Sequence, residues 1–371
     1  MPEPLTLDEL RLRLTDIDRE LVELVAERQR LSHEVARAKR ATGHPTRDYR
    51  REREVILGAR NHATRVGVSP DVAEQILRLL IRTSLATQEQ ARVVAEGQGS
   101  GKRALVIGGR GKMGHWFADF LASQGFSVEV ADPAGAVEGY AHRARWEDSP
   151  LDHDVIVVAS PLGITAEVLK QLALRRPRGL VFDLASVKTP LRESLRALVA
   201  AGVRTASIHP MFGPDTDLLS GRHVIFVDLG HAQALAEAQE LFAPTMAERV
   251  VMGLDEHDRL IAYVLGLSHA LNIAFFTALA DSGEAAPRLA RLSSTTFDAQ
   301  LDVASRVAAE SPALYFEIQS LNEYGGESLR ALRQAVMRLV DIVESKDAAA
   351  FQALMNRGRA YLDVRAAARA G

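Results

Sequence analysis

The chain has 371 residues, 47% hydrophobic and 25% charged, with a formal net charge of −3. These values are typical of a globular protein with two or three domains, and without a basic stripe or tail we do not expect nucleic acid as a partner. The sequence contains no cysteine, which excludes disulfides, thiolate nucleophiles and Cys-ligated metals. We see neither a leader-like start nor a membrane-length apolar stretch, and therefore expect a soluble, cytoplasmic protein without membrane contact.

The first predicted element is one very long helix from Leu7 to about Arg40, uninterrupted by Gly or Pro. Apolar residues between Leu10 and Val35 recur at spacings of four and three, a heptad seam that needs partner helices. Arg28 occupies a seam position that should be apolar, so it marks either an opening to solvent or a site for an anion. Lys39 shares the face of Arg28, whereas Arg11 lies about 100° away around the helix.

Two further helices are predicted over residues 48–60 and 72–90, and the glycines of residues 97–101 predict a flexible connector. The first helix is too long for a compact three-helix bundle, so its seam would be exposed in a monomer. We therefore expect a homodimer, in which Arg11 could reach the partner's pocket.

Residues 104–114 read ALVIGGRGKMG, which predicts a strand, a tight turn and the start of a helix. Glycines in such a turn let backbone N–H groups approach a pyrophosphate at a helix N-terminus. A second strand, residues 127–131, ends in Asp132, an acid placed to bond a ribose 2′-hydroxyl and so to select NAD over NADP. The predicted cofactor-binding residues are Gly109, Gly111, Lys112, Met113, Gly114 and Asp132.

The rest of the chain alternates strands with helices and then becomes almost wholly helical from Asp255. Strands are predicted at residues 154–159, 180–184, 206–208, 223–228 and 249–252. The alternation favours a Rossmann-like, doubly wound parallel sheet, an α/β domain between two all-α domains. The predicted domains are a helical domain at 1–92, a linker at 93–102, a nucleotide-binding domain at 103–253, and a helical substrate-binding and dimerisation domain at 254–371.

Two groups of polar residues stand out. The helical domain combines cations, carboxylates and neutral hydrogen-bonding groups, which suit a small dianion with a hydroxyl or ether oxygen, although each residue alone could be a solvated surface group. This group is Arg11, Arg28, Lys39, Asp48, Arg51, Glu52, Ser84 and Gln88. In the second group, residues 183–188 and 209–214 follow strands at the ligand-binding edge of the sheet. His209 is there a candidate base, and Arg306, on an otherwise apolar helix, a candidate carboxylate ligand.

The segments VAERQRL, EVARAKR, RDYRRERE and LLIRTSLATQEQ resemble the all-helical, intertwined-dimer class of chorismate mutase. The resemblance implies that Arg28, together with Arg11 from across the dimer, holds the two substrate carboxylates. It assigns Lys39 and Gln88 to the ether oxygen. It places Asp48, Glu52 and Ser84 on the hydroxyl and carboxylate side.

Residues from about 103 onward resemble prephenate dehydrogenase through VIGGRGKMG, DLASVK, HPMFGPD, EHD and LSHALN. The resemblance implies that His209 takes the proton of the ring hydroxyl as hydride leaves, that Ser186 supports it, and that Arg306 binds the ring carboxylate. The other substrate-binding residues implied are Lys188, His257, His269 and Tyr315, some of them near the inhibitor tyrosine. Asp298 stands where relatives carry a basic residue, which puts one local salt bridge in doubt.

The whole chain therefore resembles the bifunctional chorismate mutase–prephenate dehydrogenases of tyrosine biosynthesis. The resemblance implies conversion of chorismate to prephenate and then NAD-dependent formation of 4-hydroxyphenylpyruvate, without a metal and with tyrosine as a possible feedback inhibitor. A dehydrogenase that prefers arogenate stays open. A non-catalytic, dimeric sensor of NAD or prephenate is a further alternative, but it has no need for the full set of site residues.

Overall fold

The computed structural model describes residues 5–370, and side chains as far as Arg365. The chain forms two compact units, the first made of residues up to 185 together with 193–253, the second of residues 186–192 together with those from 254 onward. The chain enters the second unit first at Ser186 and again at Leu254, the residue at which the C-terminal domain was predicted to begin. Residues 186–192, predicted as part of the nucleotide-binding domain, instead pack with the C-terminal helices.

The first unit opens with three helices, α1 (Leu7–Ala41), α2 (Tyr49–Arg65) and α3 (Pro70–Glu96). A capping box between Thr6 and Glu9 starts α1, and acidic residues in its first turn and basic residues in its last suit the helix dipole. The apolar seam of α1 is exposed in the single chain, as predicted. Its exposed members are Leu10, Leu14, Ile17, Leu21, Leu24, Leu31 and Val35.

The segment between α3 and the sheet is not a free spacer, so the prediction of a flexible connector was wrong. A Cβ on Gly97 would lie 2.6 Å from the Cα of Gln124, and one on Gly99 would lie 2.5 Å from the nitrogen of Phe126. The N–H of Gly99 also donates to the carbonyl of Gln124 at 3.0 Å. The glycines are needed here for close backbone approach.

An eight-stranded sheet follows, with strand order β3-β2-β1-β4-β5-β6-β7-β8. The strands are β1 (Arg103–Ile107), β2 (Ser127–Ala131), β3 (Ala141–Arg143), β4 (Val155–Val158), β5 (Leu180–Asp183), β6 (Thr205–Pro210), β7 (His223–Asp228) and β8 (Glu248–Gly253). Neighbours are parallel except β6 and β7, which pair antiparallel. The predicted doubly wound sheet is therefore confirmed for β1 to β6, whereas the reversal at β7 and the short strand β3 were not predicted.

Helices cover the sheet and complete its core. They are α4 (Lys112–Ser123), α5 (Leu162–Arg175), α6 (Arg192–Ala200) and α7 (Ala232–Glu240), with single 3₁₀ turns at Trp146–Asp148 and Thr189–Leu191. Phe117 of α4 packs against Phe182 and Phe242, and Val93 of α3 belongs to the same buried cluster. The C-terminal part of α3 and the sheet thus share one hydrophobic core.

The second unit is helical. Its helices are α8 (Leu254–Ile261), α9 (Ser268–Asp281), α10 (Ala286–Arg291), α11 (Thr295–Ala308), α12 (Pro312–Leu321), α13 (Gly325–Glu344) and α14 (Ala348–Ala370), with a π-helical turn, Ala262–Leu267, joining α8 to α9.

The run Leu254–Asp281 is long and apolar enough to cross a membrane by length and composition, and most of its apolar part is not buried within the described residues. The expectation that the sequence holds no such stretch was wrong, because single polar residues such as Ser268 and Asn272 leave the run apolar on average. An exposed apolar face of this kind is suited to cover by a second apolar surface.

Candidate active sites

The glycine loop after β1 forms a cradle that side chains would fill. Gly108 has φ +84°, and a Cβ there would lie 2.8 Å from the backbone of Ala159. A Cβ on Gly114 would overlap the carbonyl oxygen of Gly108, and one on Gly109 would lie 2.6 Å from Val130. Gly111 is the N-cap of α4 without a side-chain cap, so the first N–H groups of the helix are available to an anion.

Asp132 lies directly beside this loop. Its carboxylate accepts the N–H of Arg110 at 3.0 Å and the N–H of Ala134 at 2.9 Å. Each bond uses a different carboxylate oxygen, so both oxygens keep acceptor capacity for a ribose hydroxyl. The residues present therefore fit a dinucleotide, with the pyrophosphate at the start of α4 and the ribose at the end of β2.

His209 lies inside β6 and is buried, with 3% of its surface exposed. The sequence placed it after the strand, because the antiparallel partner β7, which extends β6 by pairing His209 with Ile225, could not be foreseen. The neighbouring parallel strand β5 ends at Asp183. The histidine is thus on a rigid strand, as a positioned proton acceptor requires.

In the second unit, Asp258 of α8 holds the segment that carries Ser186. Its carboxylate accepts the N–H of Lys188 at 2.9 and 3.0 Å and the N–H of Thr189 at 2.6 Å. Burial acts to raise the pKa of Asp258, but the hydrogen bonds from His257, Thr189 and Lys188 outweigh it and hold the pKa below its ordinary value. Ser186 itself is half-buried, and Lys188 is fully buried.

His257, predicted as a substrate-binding residue, is fully buried. Its Nδ1 lies 2.6 Å from the carboxylate of Asp258. This position makes His257 a support of the Asp258 carboxylate rather than a group that meets a ligand in solvent. The predicted contact with substrate or tyrosine stays a prediction.

His269 and Tyr315 stack on each other, with ring centroids 4.2 Å apart. Burial lowers the pKa of His269 and, helped by the charge of Glu310, raises the pKa of Tyr315, so both rings favour their neutral forms near pH 7. Arg306 is exposed on α11, and its Nε donates to the carbonyl of Asp302 at 3.2 Å. Its guanidinium makes no ion pair with any residue that the structure describes. Asp298 accepts a hydrogen bond from Ser293 on the same segment.

In the helical domain, the structure brings Arg28 together with Ser84. Arg28 donates to the Ser84 hydroxyl and, at 2.6 Å, to the carbonyl of Leu80, and Ser32 donates to Ser84 at 2.9 Å. Burial lowers the pKa of Arg28, although a guanidinium stays charged. The polar seam position of α1 is thus explained by a polar cluster on α3.

Lys39 and Gln88 line one cavity of about 380 Å³ between the C-terminal halves of α1 and α3. Gln88 is buried, and its amide oxygen makes no hydrogen bond with any residue in the described part of the chain. Lys39 donates to the carbonyl of Thr46 at 2.6 Å. The pair that the resemblance assigns to the substrate's ether oxygen therefore meets in one place.

The remaining predicted mutase residues lie outside the lining of that cavity. Asp48 is exposed and caps α2 through the N–H of Arg51 at 3.0 Å. Glu52 accepts two hydrogen bonds from Arg47, at 2.8 and 3.0 Å. Arg11 is exposed and lies 3.5 Å from Asp8, so it does not reach the cavity of its own chain.

Sequence reasoning missed several residues that shape these sites. Gly108 was overlooked because Gly109 was taken as the first glycine of the motif, although two adjacent glycines were a signal. Asp258 was noticed only as part of the EHD motif. Arg47, next to Asp48 in an arginine-rich segment, gave no signal that set it apart.

Family models match three successive parts of the chain. Residues 10–89 match chorismate mutase type II, residues 134–251 match the nucleotide-binding domain of prephenate dehydrogenase, and residues 254–357 match its dimerization domain. The glycine loop lies just before the second match.

Relatives and a solved structure cover between 70% and 95% of the chain. The T-protein of Enterobacter agglomerans is 28% identical over 95% of this chain and 91% of its own length. The 4-amino-4-deoxyprephenate dehydrogenase of Streptomyces pristinaespiralis is 31% identical over 70% of this chain and 91% of its own length. A crystal structure of prephenate dehydrogenase from A. aeolicus, in complex with hydroxyphenyl propionate and NAD+, shares the fold, with a TM-score of 0.54, 19% identity, and coverage of 72% of this chain and 99% of that chain.

The fold, the glycine cradle and the matched domains define a nucleotide-binding dehydrogenase that carries a helical chorismate mutase domain at its N-terminal side. Both halves are enzymes by family. The chain belongs to the bifunctional chorismate mutase–prephenate dehydrogenases, the T-protein family.

Proposed function

We propose that the chain rearranges chorismate to prephenate in its helical domain and then, with NAD, converts prephenate to 4-hydroxyphenylpyruvate and CO₂. The observation that supports this most strongly is the glycine cradle after β1. A Cβ at Gly114 would fill this cradle, and the carboxylate of Asp132 lies directly beside it. An acid at this position favours the ribose 2′-hydroxyl of NAD over the 2′-phosphate of NADP. The cytoplasmic location stays a prediction.

The mutase reaction needs no nucleophile, because it is an intramolecular rearrangement. In this proposal Arg28 binds a substrate carboxylate, and Lys39 and Gln88 hydrogen-bond the ether oxygen of the breaking C–O bond. Their shared cavity and the unsatisfied amide oxygen of Gln88 support that assignment. Catalysis then comes from holding the reactive conformer and stabilising charge as it develops.

The dehydrogenase half needs a hydride acceptor and a base. NAD, when bound, supplies the carbon that accepts the hydride. His209 accepts the proton of the ring hydroxyl as the hydride leaves, and the same imidazole returns it to the phenol oxygen after the carboxylate has left as CO₂. Ser186 supports the hydroxyl or the histidine, and Arg306 holds the ring carboxylate. The buried position of His209 on a strand supports this role.

A homodimer is part of the proposal. The exposed heptad seam of α1 and the match of residues 254–357 to a dimerization domain support it. In such a dimer Arg11 completes the mutase site of the other chain, which explains why it stays exposed in the single chain. Inhibition by tyrosine stays a prediction.

The substrate of the second half has close analogues. Arogenate carries an amine on its side chain, and one relative is named for a substrate that carries an amine in place of the ring hydroxyl. We expect prephenate to give the highest kcat/KM of the three when NADH formation is followed for each. Faster turnover of either amine would overturn the substrate assignment.

A single assay tests both activities together, because NADH forms from chorismate plus NAD only if both halves work. Arg28→Ala is expected to abolish the mutase while supplied prephenate is still oxidised, and His209→Asn is expected to do the reverse. If wild-type protein forms no NADH, the proposed function is refuted. If either variant loses both activities with its fold intact, two separate sites are refuted.

A further inference from the structure

A second cavity in the first unit, of about 640 Å³, lies between α2, α3 and the loop that precedes β7. Its volume is in the usual range for small-molecule sites. Apart from Glu52, its lining contains none of the residues predicted for either active site. The loop side is formed by Leu218, Ser220 and Arg222.

The cavity is strongly cationic. Arg47, Arg53, Arg78, Arg82 and Arg222 line it, against the single carboxylate of Glu52. Arg47 is bound to that carboxylate, and Arg78 pairs with Glu74 at 2.6 Å. The other three, Arg53, Arg82 and Arg222, make no ion pair with any residue in the described range. A concave surface with this excess of positive charge attracts and concentrates anions.

The inner wall of the cavity is apolar. Ile56 of α2 and Ile81 and Leu85 of α3 form it, and Leu85 is buried. Arginine side chains pair with carboxylates through a planar fork. A ligand that pairs with the arginines and also packs against the apolar wall therefore carries carboxylates on an apolar ring.

We propose that this cavity binds a small cyclic carboxylate anion, the chemical class to which prephenate belongs, at a site that shares Glu52 with the predicted mutase site and none of the other predicted site residues. The assignment of Glu52 to the mutase, and so the effect on that reaction, rests on the proposed function. The binding itself does not, because it is argued from charge, shape and the free arginines alone.

Arg47 would transmit occupancy to the mutase site. Its guanidinium holds Glu52 through two hydrogen bonds and the Ser220 hydroxyl through a third at 2.7 Å, and it lies 4.4 Å from the centroid of the Tyr49 ring. A carboxylate in the cavity competes with Glu52 and Ser220 for this one guanidinium. Glu52 is then released from its partner when the anion binds.

The same loop leads back to the dehydrogenase histidine. Residues 211–222 connect β6, which carries His209, to β7, and the N–H of Met211 donates to the carbonyl of His223 at 2.9 Å to close the loop. A displacement of Ser220 would thus also move the rest of this short, closed loop. Binding of the anion therefore acts on residues close to both the mutase site and His209.

Arginine footprinting tests the site directly. Full-length protein without NAD is treated with phenylglyoxal, and modified peptides are quantified by mass spectrometry with prephenate or, at equal ionic strength, inorganic phosphate. We expect prephenate to slow modification of Arg53, Arg82 and Arg222 severalfold, and not that of Arg65, an exposed arginine on α2 outside the cavity. No protection, or equal protection by phosphate, would overturn the proposal.

Variants supply the second arm. Arg82→Gln with Arg222→Gln is expected to raise severalfold the prephenate concentration that half-protects Arg53, whereas Arg65→Gln is expected to leave it unchanged. An unchanged value in the double variant contradicts the site. Should that variant fail to fold, the wild-type footprint alone decides. Wild type that shows the footprint but no mutase activity would refute the proposed function and leave the anion site standing.

Discussion

The carboxylate of Asp258 is the point on which the Ser186 segment depends. It is fully buried, yet it accepts hydrogen bonds from two backbone N–H groups, of Lys188 and Thr189, and lies against His257. A buried carboxylate is tolerable only when its lone pairs are used in this way. The carbonyl of Asp258 also accepts from Asn322 at 2.8 Å, so one residue fastens three segments of the second unit.

Asp258→Asn is expected to lower dehydrogenase turnover and leave mutase activity intact. The amide turns an NH₂ group toward donors that need an acceptor, which costs about 1–3 kcal/mol for a buried unsatisfied group. The measurement is NADH formation from supplied prephenate, with thermal unfolding alongside. Asp255→Asn is the matched control, because Asp255 lies on the same helix in an exposed ion pair with Arg192 at 2.7 Å. Equal losses in both variants would contradict the role of Asp258.

Glu89 plays a similar role in the first unit, where it connects the mutase helices to the sheet domain. It is buried, and its carboxylate accepts the N–H of Leu219 at 2.7 Å and that of Met246. Burial raises the pKa of Glu89 above its ordinary value of 4.5, and the two backbone bonds and the charge of Arg92 offset this only in part. The folded state therefore holds this proton more tightly than the unfolded state does.

A pH dependence follows from the raised pKa of Glu89. Its contribution to stability is complete below the unfolded pKa and is lost as pH rises through the folded pKa. We expect the free energy of unfolding of the wild type, minus that of Glu89→Gln, to fall as pH is raised from 4.5. Urea unfolding followed by tryptophan fluorescence reports this unit, since both Trp116 and Trp146 lie in it. A difference that is constant or grows with pH would contradict the argument.

At the scale of elements, the turn between β1 and α4 offers a test that separates steric clash from backbone strain. Gly108 and Gly139 have nearly the same positive φ, +84° and +86°. A Cβ at Gly108 would lie 2.8 Å from the backbone of Ala159, whereas one at Gly139 would meet nothing within 4 Å. Only the first position combines the unfavourable conformation with a contact that the backbone must move to relieve.

Gly108→Ala is therefore expected to weaken NAD binding strongly, and Gly139→Ala to cost only about 1 kcal/mol of stability from its positive φ. Titration of each variant with NAD, followed by quenching of tryptophan fluorescence, measures the affinity. Mutase activity is expected to persist in both. If the two variants lose NAD affinity equally, then strain alone, and not the close approach to Ala159, governs the cradle.

Local sequence patterns predicted the elements that local chemistry determines. The seam and the absence of Gly and Pro located α1 to within a residue of its observed end at Ala41, and the glycine spacing located the turn before α4. Long-range contacts were out of reach. Glu89 reads as a surface acid in TQEQ until the loops at Leu219 and Met246 are known to meet it, and β3 forms only because it pairs with β2.

The same limit applies to the sites. Residue types and resemblance identified Lys39 and Gln88, which do meet in one cavity. They did not show that Arg47, which holds Glu52, also donates to Ser220, because Ser220 is far away along the chain. They also assigned residues 186–192 to the sheet domain, since nothing local reveals that Asp258 holds them.

For the whole molecule, the exposed seam of α1 has a functional consequence. Leu14, Leu21 and Leu24 are 60%, 55% and 61% exposed in the single chain, more apolar surface on one helix than a monomer usually leaves uncovered. Arg11 lies on the same exposed half of α1, remote from the cavity of its own chain. In a two-fold dimer each mutase site would take Arg28 from one chain and Arg11 from the other.

Subunit complementation tests this arrangement. Arg11→Ala and Arg28→Ala chains, each inactive as a mutase alone, are mixed, unfolded and refolded together. Half of the dimers then contain one chain of each kind, and in those one site has both arginines intact, so about a quarter of wild-type mutase activity should return. The measurement is loss of chorismate absorbance, with each variant refolded alone as the control. Activity that stays at the level of the single variants would show that Arg11 serves its own chain or none.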